Sequence, residues 1–243
     1  MIIINADDWG RSVAETDAAF RCWQQTRVTS VSAMVFMEDS ERAADLARKH
    51  NVDAGLHLNF SENLTSRNIP GRLCHYHDRI VRFLKRNKYS PLVYNPILRK
   101  QFSYSYEAQV AEFLRLYGAL PSHIDGHQHM HLCTNLLFSR VIPSGTRMRR
   151  NFTFLPGEKS VLNRAYRKLV DWWLSRKYHL PDHFFCILQS KRAGRMNRIA
   201  KLAKSSNVEL MTHPVVAEES QYLMSCDFAS LLRGLQVVPY AYL

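Results

Sequence analysis

At 243 residues, with 46% hydrophobic and 22% charged side chains, the chain is long enough for one large α/β or barrel domain, or at most two small ones, and has the composition of an ordinary globular protein. No stretch approaches the roughly 18 apolar residues of a membrane-spanning helix, and Met1-Ile-Ile-Ile runs directly into polar sequence without the regions of a secretory leader, so a cytoplasmic, soluble protein is expected. The formal net charge of +12 favours anionic surroundings such as phosphorylated substrates, nucleic acid or an acidic membrane surface, and five scattered cysteines without a C-x-x-C pair argue against a disulfide framework or a structural zinc knuckle.

Taken in order, Met1 to Ile4 reads as a short buried strand opening into Asn5-Ala-Asp7-Asp8-Trp9-Gly10. Two adjacent carboxylates cannot both point the same way, so one can bind a cation while the other meets a proton, the alternative being a turn in which an Asp caps the next helix. Ser12-x-x-Glu15 is a capping box for a helix from Val13 to about Gln25 that is expected to bury Val13, Phe20 and Trp23. Val28 to Phe36 is rich in β-branched residues and reads as a second strand. Asp39 to His50 is a helix, and Val52 to Phe60 is a third strand carrying His57 in an apolar setting.

Between Arg72 and Glu107 the composition shifts to eight Lys/Arg and seven aromatics. This pattern suits a groove for sugars or bases beside anionic groups, or equally a solvated insertion whose aromatics pack back on the body under Lys and Arg stems, and residues 72–107 are expected to be a long excursion that sets substrate specificity. Ser105 to Gly118 is a helix whose inward face would be Val110, Phe113, Leu114 and Tyr117, closed by Gly118.

The stretch His123-Ile-Asp-Gly-His-Gln-His-Met-His131 carries the most chemistry. Read as an extended strand, it places His123, Asp125, His127, His129 and His131 on one face. Imidazoles and carboxylates are ligands for zinc and related divalent ions, but only three or four reach one ion, so the remainder would orient ligands or meet substrate. Arg147, Arg149 and Arg150 follow, and an arginine aimed into the site would pin a catalytic aspartate or bind substrate oxygens.

Lys159 to Tyr178 is an amphipathic basic helix. Its Val161, Leu162, Leu169, Trp172 and Trp173 are expected to pack on the body, the alternative being that they lie on an anionic bilayer. Arg192 to Ser205 repeats the pattern with Met196, Ile199, Leu202 and Ala203 inward. Val208 to Pro214 is the last strand, ending in His213, and Asp227 to Leu235 is the closing helix.

Four strands thus end in chemical residues, with helices between them, and in a parallel α/β barrel such strand ends collect on one catalytic face. Together the stretches Ile-Asn-Ala-Asp-Asp-Trp-Gly, Val-Thr-Ser-Val-Ser, Gly-Leu-His-Leu, Pro-Ser-His-Ile-Asp-Gly-His-Gln-His-Met-His and Glu-Leu-Met-Thr-His-Pro, running from residue 2 to residue 214, resemble the YdjC-like carbohydrate deacetylases. The resemblance implies an irregular (β/α) barrel of the glycoside hydrolase/deacetylase type over residues 1–243, with the basic, aromatic-rich insertion inside it, and a homodimer as the family's common state. It implies a metal-dependent hydrolase that removes an N-acetyl group from an amino sugar. One divalent ion, Mg or Zn first and Mn, Co or Ni next, would sit on Asp8, His57 and His127. Asp7 would be the general base and His213 the general acid, with His123, Asp125, His129, His131, Arg147 and Arg149 behind the ligands or at the substrate.

The basic surface extends this expectation to an anionic or lipid-linked glycan at the inner membrane face. Two other classes fit the charge: a metal-dependent phosphoesterase, which normally has more carboxylate ligands, and a non-catalytic basic module for an anionic polymer or membrane surface. No nucleic-acid motif is recognisable, so no specific nucleic-acid partner is expected.

Overall fold

The structure is a computed structural model that describes residues 1–154 and 157–243. It is an α/β fold with, among the described residues, six strands, β1 (Ile2–Trp9), β2 (Ser30–Ala33), β3 (Asp53–Leu58), β4 (Ile124–Gly126), β5 (His183–Cys186) and β6 (Val208–Thr212). Their order in the sheet is β4-β3-β2-β1-β6-β5. The ladders β1/β6, β3/β4 and β5/β6 are parallel, as expected when helical connections return the chain to the same sheet edge. The described residues group into two compact units, one of residues 1–7, 17–31 and 144–243, the other of residues 8–16 and 32–143.

In the first unit, Ile2 to Ala6 of β1 align with Val208 to Thr212 of β6, and His183 to Cys186 of β5 with Val208 to Met211. Ile2, Ile3, Ile4, Phe184, Val208 and Leu210 are fully buried, so these strands read as continuous apolar runs, as strands covered on both faces do. The first strand is longer than its apolar residues suggested: Asn5, Asp7 and Asp8 are buried within it. Helix α1 (Val13–Gln24) buries Ala18, Ala19 and Cys22, while Val13 is exposed and Phe20 and Trp23 are half-buried and stacked on each other.

The second unit carries α2 (Ser40–His50), α3 (Gly71–Leu84), α4 (Arg99–Tyr117) and α5 (Thr134–Ser139) around β3 and β4. Residues 72–107 are therefore mostly regular structure, with only two short 3-10 turns between α3 and α4, and not a long loop. The α4 helix ends at Gly118 with φ 71°, a left-handed cap. Its buried face is Phe102, Tyr106, Gln109, Phe113 and Leu116, one step round from the expected stripe, and Leu114 is exposed.

The remaining helices, α6 (Val161–Ser175), α7 (Ile187–Arg192), α8 (Met196–Leu202), α9 (Ala217–Met224) and α10 (Cys226–Leu232), belong to the first unit. In α8 the expected Met196 and Ile199 are buried. In α6 the expectation fails: only Asp171 and Leu174 are buried, and the apolar residues face outward. No strand runs through Arg147 to Arg150; residue 147 makes an isolated parallel bridge to His179. All five cysteines are free thiols, with Cys22, Cys133 and Cys186 buried.

Candidate metal centre

The second unit holds the cluster, and strand register builds it. In the parallel β3/β4 ladder His57 is aligned with Asp125, so their side chains stand on the same face. His57 Nδ1 donates to Asp125 Oδ1 at 2.7 Å. The other carboxylate oxygen accepts from Ser32 Oγ at 2.7 Å. Ser32 has one hydroxyl proton and gives it to Asp125, so the 3.1 Å contact with His123 Nε2 is a donation from the ring. Ser122 Oγ, 3.0 Å away, then donates to His123 Nδ1. Ser32, His57, His123 and Asp125 are buried, and with Nδ1 engaged by Asp125 the other ring nitrogen of His57, Nε2, faces Asp8.

Asp8 Oδ1 lies 3.4 Å from His57 Nε2 and 2.8 Å from His127 Nδ1. One ligand atom from each of Asp8, His57 and His127 lies within 4.8 Å of the others, and all three residues are buried. Burial pushes the Asp8 carboxyl up. Its hydrogen bonds with His127 and His57, and the attraction of both imidazoles, more than offset this and hold its pKa well below the usual carboxylate range.

One carboxylate and two imidazoles are a donor set that suits Zn and neighbouring divalent ions. His57, with its far nitrogen held by a carboxylate, has the arrangement by which proteins fix a ligating histidine. The residues therefore fit a divalent ion. Asp8 reaches the site through a left-handed backbone, φ 64°, at the end of β1, a conformation that Asp tolerates better than most residues.

Glu62 was not singled out in the sequence. Its Oε1 is 3.1 Å from His127 Nε2, and its two oxygens accept from Arg11 Nε and Nη2 at 3.0 Å each. The loop that carries it is tied down at every turn. Asn59 Oδ1 accepts from the Glu62 N–H at 2.9 Å, and His77 Nε2 donates to the Glu62 carbonyl at 2.7 Å. Gln109 of α4 accepts from the Asn59 N–H and donates to its carbonyl. The only hint in the sequence was a polar run after His57. Glu62 and Arg11 also line an open, mostly polar pocket of about 470 Å³ with Glu15, Asn63, Thr65 and Lys85.

The extended reading of the histidine run holds only as far as Gly126. From His127 to Leu132 the chain is a 3-10 turn with φ of 51° at Gln128 and 59° at His129, so the alternation ends. His131 is fully buried beside Gly126, where an added β-carbon would come within 2.9 Å of its backbone nitrogen. His129 is half-buried, with its ring 6.3 Å from that of His131. Neither belongs to the Asp8, His57, His127 group.

The first unit holds the other predicted residues. Asp7 Oδ2 and Oδ1 accept from Arg149 Nη1 and Nη2 at 2.7 Å each, and Arg149 Nε donates to Glu209 at 2.7 Å. Arg149 is fully buried, and its guanidinium lies 4.8 Å above the Phe184 ring. Tyr240 donates to Glu209 at 3.0 Å. Arg149 is thus the arginine that pins the aspartate. Arg147 instead donates to the Leu243 carbonyl at 3.3 Å, and Arg150 pairs with Asp171. His213 follows β6, its backbone N–H held by Glu219 at 2.6 Å, and Glu219 also accepts from Thr212 Oγ1.

Known proteins give the arrangement its context. A carbohydrate deacetylase of Mus musculus is 32% identical over 68% of this chain, an alignment that spans only 53% of the mouse protein. A carbohydrate deacetylase of Vibrio campbellii is 30% identical over 97% of this chain and 86% of its own length. A solved Enterococcus faecalis structure, described as a cellobiose-phosphate cleavage protein, shares the fold with a TM-score of 0.67 at 19% identity, covering 99% of this chain and 97% of that one. The family model for YdjC-like proteins matches residues 1–236. With that match spanning nearly the whole sequence, and with Asp8, His57 and His127 drawn together inside it, the chain belongs to the YdjC-like protein family.

Proposed function

We propose that this protein is a metal-dependent carbohydrate N-deacetylase, hydrolysing the acetamide of an N-acetylated amino sugar to acetate and a free amine. The observation that carries the reading is the convergence of His57 and His127 on Asp8 Oδ1, with the far nitrogen of His57 anchored by Asp125. Family membership and the deacetylase relatives support it. The family match over residues 1–236 also supports treating the two units as one catalytic domain whose six strands belong to an irregular barrel.

In this reading Asp8, His57 and His127 hold one divalent ion, Mg or Zn before Mn, Co or Ni. Such an ion, when bound, lowers the pKa of a water and polarises the acetamide carbonyl. Asp7 takes the proton from the attacking water. Its Oδ1 accepts from Arg149 and Asn5 and its Oδ2 from Arg149, and the fork of Arg149 fixes the orientation of the carboxylate that receives the proton. His213, anchored through its backbone by Glu219, delivers a proton to the departing amine. The polar pocket along Arg11, Glu62 and Thr65 suits sugar hydroxyls, and the basic α3 to α4 segment would select among neutral, anionic and lipid-linked glycans.

The test is acetate release from a panel of N-acetylated sugars, free, nucleotide-linked and lipid-linked, with chelator-treated protein before and after addition of a divalent metal. A generic phosphodiester is assayed alongside. Metal-dependent acetate release is the expected result. Phosphodiester cleavage without acetate release overturns it. Asp7→Asn should retain metal binding and lose turnover, whereas His127→Ala should lose the metal.

A further inference from the structure

Helix α6 presents its apolar face to solvent. Leu162 is 83% exposed, Leu169 61%, Trp172 52% and Trp173 40%, with Val161 and Tyr166 also exposed. Positions 162, 166, 169 and 173 are spaced i, i+4, i+7 and i+11, which makes them a single stripe along the helix. A helix that belongs to a water-soluble body normally turns such a stripe inward, yet α6 buries only Asp171 and Leu174.

Cations border the stripe. Six Lys/Arg lie between Lys159 and Lys177, against one acidic residue, Asp171. Asp171 is already engaged by Arg150 and by the backbone and side-chain amides of Asn151, so it does not neutralise the outer surface. Arg176 lies over the Trp172 ring at 3.8 Å. On the flank, Arg164, Arg167 and Lys168 join Arg150 and His183 around a cavity of about 130 Å³ that Asp171 and Asp182 also line. Arg164 Nε is buried there without a hydrogen-bond acceptor.

We propose that α6 is an in-plane membrane anchor that docks this protein on an anionic lipid bilayer, its Leu and Trp stripe entering the headgroup boundary and the flanking Lys and Arg meeting lipid phosphates. Composition and charge select this occupant. Trp is the side chain most at home at the boundary between water and acyl chains, and Lys and Arg stems can lie along that boundary while their heads reach phosphate. A second copy is a poorer fit, because a two-fold contact through the same patch would set the six Lys and Arg from Lys159 to Lys177 of one copy against those of the other. No helix among the described residues is long and apolar enough to cross a membrane, so the docking is peripheral. The inference is independent of the reaction proposed above.

The experiment is co-sedimentation with vesicles of phosphatidylglycerol and phosphatidylcholine, compared with phosphatidylcholine alone. Trp emission is followed in parallel, using lipids brominated on their acyl chains. Wild-type protein should sediment with the anionic vesicles only, lose binding as salt is raised, and show quenching that Trp172→Phe/Trp173→Phe removes. Each surface cation near anionic lipid contributes about 1 kcal/mol, so Lys168→Glu/Arg176→Glu should weaken partitioning by about tenfold or more. Leu169→Glu/Trp172→Glu should weaken it similarly without lowering the melting temperature, since these side chains are exposed. Equal binding to neutral vesicles, or binding without Trp quenching, would overturn the proposal. So would a wild-type dimer that Leu169→Glu/Trp172→Glu converts to monomer, which would assign the face to a second copy.

Discussion

The imidazole of His123 occupies the space that a side chain on residue 55 would need: a β-carbon built on Gly55 falls 2.3 Å from its Cε1 and Nδ1. Real β-carbons essentially never come so close, and an aromatic ring wedged against two strands cannot bend away. Gly55→Ala should therefore push His123 off Ser32 and, through Ser32, disturb Asp125 and His57. We expect a loss of about 1–3 kcal/mol, the range for overpacking a core, in urea unfolding, with weaker metal binding by calorimetry. A fully native melt with unchanged metal affinity would show that the ring has another place to go.

Asp125 touches the proposed ion only through His57. Asp125→Asn keeps the shape but replaces a carboxylate with an amide, so His57 loses its charged anchor. Metal affinity should fall by about 10- to 100-fold, the usual effect of removing the group that holds a ligating histidine, and the fall should be smaller than for His127→Ala. Calorimetric titration with zinc separates the two variants. Identical affinity in Asp125→Asn and the wild type would mean that His57 is oriented by packing alone.

Arg149 engages both Asp7 and Glu209, and all three are buried. Removing it leaves two carboxylates facing each other in the core. Arg149→Met should cost about 3–5 kcal/mol in denaturant unfolding, the range for breaking a buried ion pair from one side. A cost below about 1 kcal/mol, typical of exposed pairs, would contradict the burial seen here.

Glu219 gives a pH signature. Burial raises its pKa above the ordinary value of 4.5, and the hydrogen bonds from His213 and Thr212 offset this only in part. The folded state then holds its proton to higher pH than the unfolded chain does, so stability falls as pH rises from 4.5 through the raised value and is constant above it. Glu219→Gln keeps an oxygen for both donors and removes the titration. The stability difference between variant and wild type should therefore grow with pH across that window. A difference that stays level would exclude Glu219 as the source.

Several of these relationships were visible in the sequence and several were not, for physical reasons. The meeting of Asp8, His57 and His127 was legible because they sit at or beside strand ends, where a parallel sheet brings distant residues together. The alternation from His123 to His131 was misleading past Gly126, because left-handed backbone at Gln128 and His129 leaves no mark in the sequence when the residues are not glycine. The first strand looked too short because Asn5, Asp7 and Asp8 are polar. They stay in the sheet because each finds a partner, Asn5 Nδ2 donating to Asp7 at 3.1 Å and Asp7 accepting from Arg149. Glu62 escaped notice because what fixes it, Arg11, Asn59 and His77, lies at three separate places in the chain. The outward stripe of α6 was indistinguishable from a core stripe, since periodicity tells which residues share a face but not which way that face turns.

The left-handed turn at Asp8 has a consequence for anyone who would retune the preference of the proposed metal site. Position 8 must supply an anionic oxygen and also accept φ 64°. Glycine satisfies the backbone and supplies nothing, asparagine satisfies it without the charge, and the longer or branched ligands resist the conformation. The vocabulary at this position has shrunk to nearly one letter. His57 and His127 carry no such restriction, as neither is among the residues with positive φ. Redesign toward a softer or harder ion has room at those two positions and almost none at the third.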